Sequence, residues 1–315
     1  NLSGSFGDNL VIEATVPFRL SLYTFDVGVP SDGSGALIVA RMAVDGTAFD
    51  PSTTLSAREI VGEATSTEAP SAKAPTAAAV IGVPPAAVGD VAAAMRPGLS
   101  AEAIVTDVSS IKAQVVREVV PHLPTPSLFV PGHPVAGTEH SGPDAAFATL
   151  FEHRRCILTP IEDTDPAAVQ RVKALWELAG SSVDLMTPEH HDRVLAITSH
   201  LPHLIAYTIV GTVADLEEEA RTEVFKYAAG GFTDFTRIAA SDPTMWRDVL
   251  IGNREAVLEM LGRFTEDMVA LQRAIRWGDG KALFDLFERT RAIRRGVIQA
   301  GQAYVREPQV DGDKG

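Results

Sequence analysis

Up to about Leu185 this chain alternates short apolar runs with helix-like stretches; beyond Thr187 only helical spacing is left. In the first part, Val80-Ile81-Gly82-Val83 reads as a strand stopped by Pro84-Pro85, and Ala86 to Met95 as a helix. Ala103 to Thr106, Leu128 to Val130, Ile157-Leu158 and Val183 to Leu185 read as further strands, with helices over Lys112 to Val120 and Pro166 to Leu178. Such alternation implies a parallel sheet covered by helices, with functional groups gathered beyond the carboxyl ends of its strands. In the second part, Arg254 to Leu261 and Lys281 to Phe287 carry apolar residues every three or four positions, and Gly278-Asp279-Gly280 separates two such helices. The expected build is an α/β domain over 1–186 followed by an all-α domain over 187–315.

At 315 residues the chain has length for two cores. Leu10 to Val16 and Phe18 to Val29 look like strands, Gly35 to Val44 is ambiguous between strand and helix, and Glu63 to Ala79 reads as a loop. A net charge of −14 argues against nucleic acid and anionic membranes as partners, although local arginines can still hold an anionic substrate. The single cysteine, Cys156, allows no intramolecular disulfide and suits a reducing compartment. No signal peptide is evident, and no run approaches the roughly 18 apolar residues of a membrane span. A cytoplasmic location is expected. The apolar stripes on the C-terminal helices suggest a homodimer.

Chemistry concentrates in Gly132-His133-Pro134-Val135-Ala136-Gly137-Thr138-Glu139-His140-Ser141-Gly142, directly after a strand. An imidazole that titrates near neutrality, held at a strand end by a glycine-rich backbone, is typical of an α/β active site; a surface turn is the plainer alternative. Downstream lie Ser199-His200-Leu201-Pro202-His203 and the segment Gly230-Gly231-Phe232-Thr233-Asp234-Phe235-Thr236-Arg237-Ile238-Ala239-Ala240-Ser241-Asp242-Pro243-Thr244-Met245-Trp246. His200 and His203 share a helix face, yet no third ligand stands at metal-site spacing, so no metal is expected. Pro202 between them should kink the helix. Trp246 could line a pocket or fill the core. Asp107 and Lys112 read equally as cap and surface charge, and His190, His191 and Asp192 as an ordinary helix start.

With Thr106-Asp107-Val108-Ser109-Ser110-Ile111-Lys112, these motifs resemble the prephenate/arogenate (cyclohexadienyl) dehydrogenase family of tyrosine biosynthesis, from about Val80 to Gln302. The resemblance implies a Rossmann-like dinucleotide-binding domain, a helical dimerisation domain, NAD or NADP as cofactor, and prephenate or arogenate as substrate. It implies His133 as the base on the ring hydroxyl and Ser110 as its helper. It places Arg237, His203, His200, Thr138, Glu139, Asp234 and Trp246 around the substrate, and Val83, Pro84, Asp107 and Ser109 near the cofactor. The family usually has glycine where Ser109 stands.

The resemblance fails before about Ala79. A dinucleotide fold needs strand, G-x-G-x-x-G and helix, so that amides at a helix N-terminus hold a pyrophosphate. The nearest candidate, Gly33-Ser34-Gly35-Ala36-Leu37-Ile38, has Ile38 in place of the third glycine. A diverged but working nucleotide domain, a cofactor-less homologue that senses an aromatic metabolite, and an unreliable N-terminal sequence all remain open on the sequence.

Overall fold

A computed structural model describes the backbone of 10–13, 19–27, 35–43 and 78, and the residues 79–137, 147, 149–218, 223, 226–228 and 230–299. The chain divides into two compact units, Asn1–Leu258 and Glu259–Gly315. The last described strand ends at Leu185 and a helix starts at Pro188.

The first unit contains a six-stranded sheet in simple chain order: β1 (Leu10–Glu13), β2 (Arg19–Val27), β3 (Gly35–Ala43), β4 (Ala78–Gly82), β5 (Ile104–Asp107) and β6 (Phe129–Val130). Strands β4, β5 and β6 are parallel, joined through α1 (Val88–Met95) and α2 (Ala113–Val119). The wholly parallel sheet expected from the sequence is not observed. Strands β1 to β4 pair antiparallel, and β2 and β3 are separated by the seven residues 28–34, a hairpin-length connection too short for a crossover.

Val105 and Phe129 face a core formed with Val88, Val91 and Ala92 of α1 and Val115 and Val119 of α2. Ile104 and Val130 point the other way, toward Ala168, Val169, Val172 and Trp176 of α3 (Pro166–Leu178). That alternation explains why β5 is buried along its whole length. Trp246 and Val249 of α7 (Pro243–Gly252) enter the first of these cores, so a helix from the C-terminal half packs on the sheet of the N-terminal half.

After β6, Pro131 interrupts the ladder, having no N–H to give, and the chain passes into a second sheet of β7 (Gly132–Val135), β8 (Arg155–Leu158) and β9 (Ser182–Leu185). Strands β7 and β8 are antiparallel, with His133 opposite Ile157; β8 and β9 are parallel across α3. The buried Cys156 thiol in β8 is pushed up to about 12 by burial and stays protonated.

Next come α4 (Pro188–Leu195), one π-helical turn (Ala196–His200) and α5 (Leu201–Ala214) as one continuous helix. The sequence suggested a kink at Pro202; instead the π-turn, with the Leu201 amide on the Ala196 carbonyl five residues back, precedes the proline. Contrary to the sequence reading, Pro188–Ala214 is long and apolar enough to span a membrane by length and composition. Its buried His191, Asp192 and His200 are hydrogen-bonded to β7, α2 and Asn253, so one face packs inside the folded unit, while only 28% of the apolar window is buried. The helix α6 (Gly230–Thr236) follows before α7.

Most of α8 (Arg254–Trp277) and all of α9 (Gly280–Gln299) belong to the second unit. Gly278 turns the chain at φ 66°, where a side chain would be strained, and Asp279 Oδ1 accepts the Ala282 amide to start α9.

Candidate functional site

The site is built where β5 ends and β7 begins. Asp107 closes β5 fully buried; its Oδ2 accepts the Ser109 amide (2.9 Å) and Lys112 Nζ (2.5 Å), and its Oδ1 accepts the Gly132 amide (3.1 Å). Lys112 Nζ donates a second bond to the Gly132 carbonyl at 2.5 Å. One buried ion pair thus fixes both polar groups of the residue before His133. A Cβ on Gly132 would lie 3.0 Å from the Asp107 carbonyl and 3.3 Å from Thr106 and Leu158, so this close approach suits glycine. Burial lowers the Lys112 pKa, and Asp107 opposes that shift. Both residues therefore differ from the surface charge and cap suggested by sequence. Asp107 is also not a cofactor contact, because its oxygens are taken up by partners inside the protein.

His133 is nearly buried, and its Nδ1 lies 2.8 Å from His191 Nε2. His191 Nδ1 lies 2.9 Å from Asp192 Oδ1. The carboxylate also accepts the Lys112 amide at Oδ1 (2.8 Å) and the Ala113 amide at Oδ2 (2.9 Å), so it caps α2 from another helix. Those bonds assign the protons. Asp192 can only accept, so His191 carries its proton on Nδ1 and accepts at Nε2. His133 must then donate from Nδ1, which leaves its Nε2 lone pair free. Burial holds the His133 pKa well below its usual value, and His191, Lys112 and His200 add to the effect. At neutral pH His133 is an uncharged base. His191 is lowered likewise, by burial first. Burial alone would raise Asp192, but the bonds from His191, Ala113 and Lys112 outweigh it and keep the carboxylate ionised.

Sequence reasoning took His191 and Asp192 for a helix start. They are buried with Pro188 and Leu195, a spacing of three, four and seven that a helical wheel of this segment would have shown. Asn253, between α7 and α8, carried no sequence signal. Its Nδ2 donates to the Asp192 carbonyl (2.7 Å) and lies 3.1 Å from His200 Nδ1.

His200 was expected at the substrate; it is instead fully buried, edge-on to Trp246 and bonded to Asn253. Burial lowers its pKa to about 4, and the Asp192 carboxylate partly offsets this. His203 is half-buried and stacks on Trp246 with ring centroids 3.5 Å apart. Trp246 packs in the core and braces His203. His203 Nδ1 donates to the Ser199 carbonyl (2.9 Å), which leaves Nε2 outward. Burial lowers its pKa, and so does Arg237, which places that guanidinium close by. Arg237 and Asp234 are exposed.

Ser110 is half-buried beside His200, at the carboxyl end of β5. Ser109 is buried with an unpartnered hydroxyl. Val83 is buried in the core at the end of β4, and Pro84 is half-exposed there. Thr138, Glu139 and Gly33 lie outside the described residues. Gly35 opens β3, opposite Val27, because the apolar, partly β-branched run Ala36 to Val39 pairs with strands on both sides. It does not form the strand–turn–helix of a pyrophosphate cradle. Among the described residues no cluster of three or more His, Cys, Asp or Glu side chains could hold a metal ion.

Parallel strands whose carboxyl ends carry an uncharged histidine base, followed by helices, are the build of a nucleotide-dependent oxidoreductase. Residues 40–185 match the nucleotide-binding domain of prephenate dehydrogenase, and residues 187–289 match its dimerization domain. The chain belongs to the prephenate dehydrogenase family. It is 44% identical to a cyclohexadienyl dehydrogenase of Zymomonas mobilis over 212 residues, 67% of this chain and 72% of that one. A crystal structure of prephenate dehydrogenase from Aquifex aeolicus, in complex with hydroxyphenyl propionate and NAD+, superposes with a TM-score of 0.65 at 36% identity, covering 70% of this chain and 76% of that one. Synechocystis arogenate dehydrogenase gives a TM-score of 0.61 at 28% identity over 70% of this chain and 78% of that one.

Proposed function

We propose that this protein catalyses the NAD-dependent oxidative decarboxylation of prephenate or arogenate. The observation that carries the reading is the free Nε2 lone pair of His133, fixed by the hydrogen-bonded run from Asp192 through His191. His133 takes the proton of the ring hydroxyl as the carbinol carbon is oxidised and the ring carboxylate leaves as carbon dioxide. The ring becomes aromatic, which drives the reaction, so the protein mainly orients the substrate and accepts one proton. Bound NAD would accept the hydride. Ser110, at the adjoining strand end, suits the reacting hydroxyl. Arg237 suits a substrate carboxylate, and His203 Nε2 can bond to the same group when it carries a proton.

The family resemblance puts the nicotinamide end of NAD at the carboxyl ends of β4 and β5, but Gly35 in β3 offers no pyrophosphate turn. That strand is the observation favouring the alternative, a cofactor-less homologue that binds an aromatic metabolite. On the leading reading the protein is a homodimer, its partner covering Ile275, Trp277, Phe284, Phe287 and Ile293, which α8 and α9 leave more than half exposed.

The deciding experiment is calorimetric titration with NAD and with NADP, followed by addition of prephenate or arogenate while reduced nicotinamide is monitored. Binding with turnover that His133→Asn abolishes supports the enzyme. Binding of neither nucleotide, with an aromatic metabolite still bound, supports the alternative.

A further inference from the structure

Asn253 lies in neither motif around the base, yet its side chain reaches the Asp192 carbonyl and the His200 ring. It is buried at 5% exposure, and its backbone is used at both helix junctions: the amide bonds to the Val249 carbonyl and the carbonyl accepts the Val257 amide. The side chain is therefore held from both ends. The atom facing the Asp192 carbonyl must be the amide nitrogen, because a carbonyl only accepts. The second hydrogen of that nitrogen is left for His200 Nδ1 at 3.1 Å. His200 then accepts at Nδ1 and carries its proton on Nε2, a buried atom without a hydrogen-bond partner among the described residues.

We propose that the Asn253 carboxamide is a positioning residue for the base. Through the Asp192 carbonyl it anchors the His191–His133 chain, and its bond to His200 Nδ1 fixes the orientation of the carboxamide itself. The proposal rests on the reading of His133 as the base. The two contacts reach Asn253 from 61 and 53 residues away in sequence.

The test uses the full chain with NAD and prephenate, comparing Asn253→Ala, Asn253→Asp, His133→Asn and the double variant His133→Asn/Asn253→Ala. Expected is a fall in kcat of roughly ten- to a hundredfold for Asn253→Ala, with the prephenate KM within about twofold. In the His133→Asn background the same change should have no further effect, because an orienting group has nothing left to orient. A merely structural role would instead multiply the two losses. Asn253→Asp keeps the shape but cannot donate, so it should lose kcat similarly. Nitrogen-15 shifts of the imidazoles should also show the His200 proton moving from Nε2 to Nδ1. If Asn253→Ala does not fold, Asn253→Asp decides. Retention of kcat within about threefold in the folded variants, or losses that multiply, overturns the role of Asn253 alone. Unchanged turnover in His133→Asn overturns both this proposal and the base it depends on.

Discussion

Replacing Asp192 by asparagine should silence His133 without touching it. Asp192 offers two oxygens to three donors: His191 Nδ1 at 2.9 Å, the Lys112 amide at 2.8 Å and the Ala113 amide at 2.9 Å. Asparagine has one oxygen. With that oxygen toward Lys112 and His191, its amino group opposes the Ala113 N–H and leaves a buried donor unmet, at about 1–3 kcal/mol. With the amino group toward His191, that ring must accept at Nδ1 and carry its proton at Nε2. His133 then accepts at Nδ1 and keeps its proton on Nε2, the atom required as the base. The loss is bounded by the worth of a general base, roughly 10²–10⁴-fold, or about 3–5 kcal/mol of barrier. Initial rates at saturating NAD and prephenate should show kcat down roughly a hundredfold or more, with KM little changed. Urea unfolding should register a stability loss of about 1–3 kcal/mol. A variant with kcat within about threefold of the parent would refute the proton assignment along this chain.

Three other outcomes follow from the same contacts. Lys112→Met should destabilise the fold by about 3–5 kcal/mol by stranding the buried Asp107 carboxylate, read as a shifted urea midpoint. Gly252→Ala would drive a methyl group into buried Ile111 and the end of Gln114; about 1–3 kcal/mol of stability should go, and kcat should fall because Ile111 adjoins Ser110. His200 titrates at about 4 in the fold against 6.5 in the open chain, so between those values the unfolded state binds more protons and stability falls as pH falls. By pH 4 this one ring should cost about 3 kcal/mol, and His200→Gln should flatten that part of the pH–stability curve.

The elements legible in the sequence are those whose signals are local. Helix α3 begins and ends where expected because Asp165 caps it, Pro166 starts it and its apolar spacing is regular. Strands β4, β5 and β6 are short apolar runs, and His133 lies three residues past β6, inside β7. What escaped depends on partners remote in the chain. The Lys112 amide meets Asp192 across 80 residues, and Lys112 Nζ meets Gly132 across 20. No spacing rule distinguishes such a lysine from a solvated one. The antiparallel pairing of β7 with β8 escaped for another reason, since apolar runs carry no mark of direction. His200 and Trp246 misled because a pair of histidines three apart beside a tryptophan looks the same whether it faces a ligand or a core.

The π-turn at Ala196–His200 has a consequence for how one helix serves the site twice. His191 and His200 are nine residues apart, which in a regular helix is about 900°, so the two rings would point to opposite sides. A π-turn absorbs one residue without advancing the phase, leaving about eight residues' worth of rotation and the rings roughly 80° apart. Both can then face inward, one toward the base and one toward Asn253. The extra residue works as a phase shifter. Deleting one residue within the turn would restore a smooth helix and keep His200 and His203 facing their partners, whereas a regular helix of the full length would swing them by about 100°.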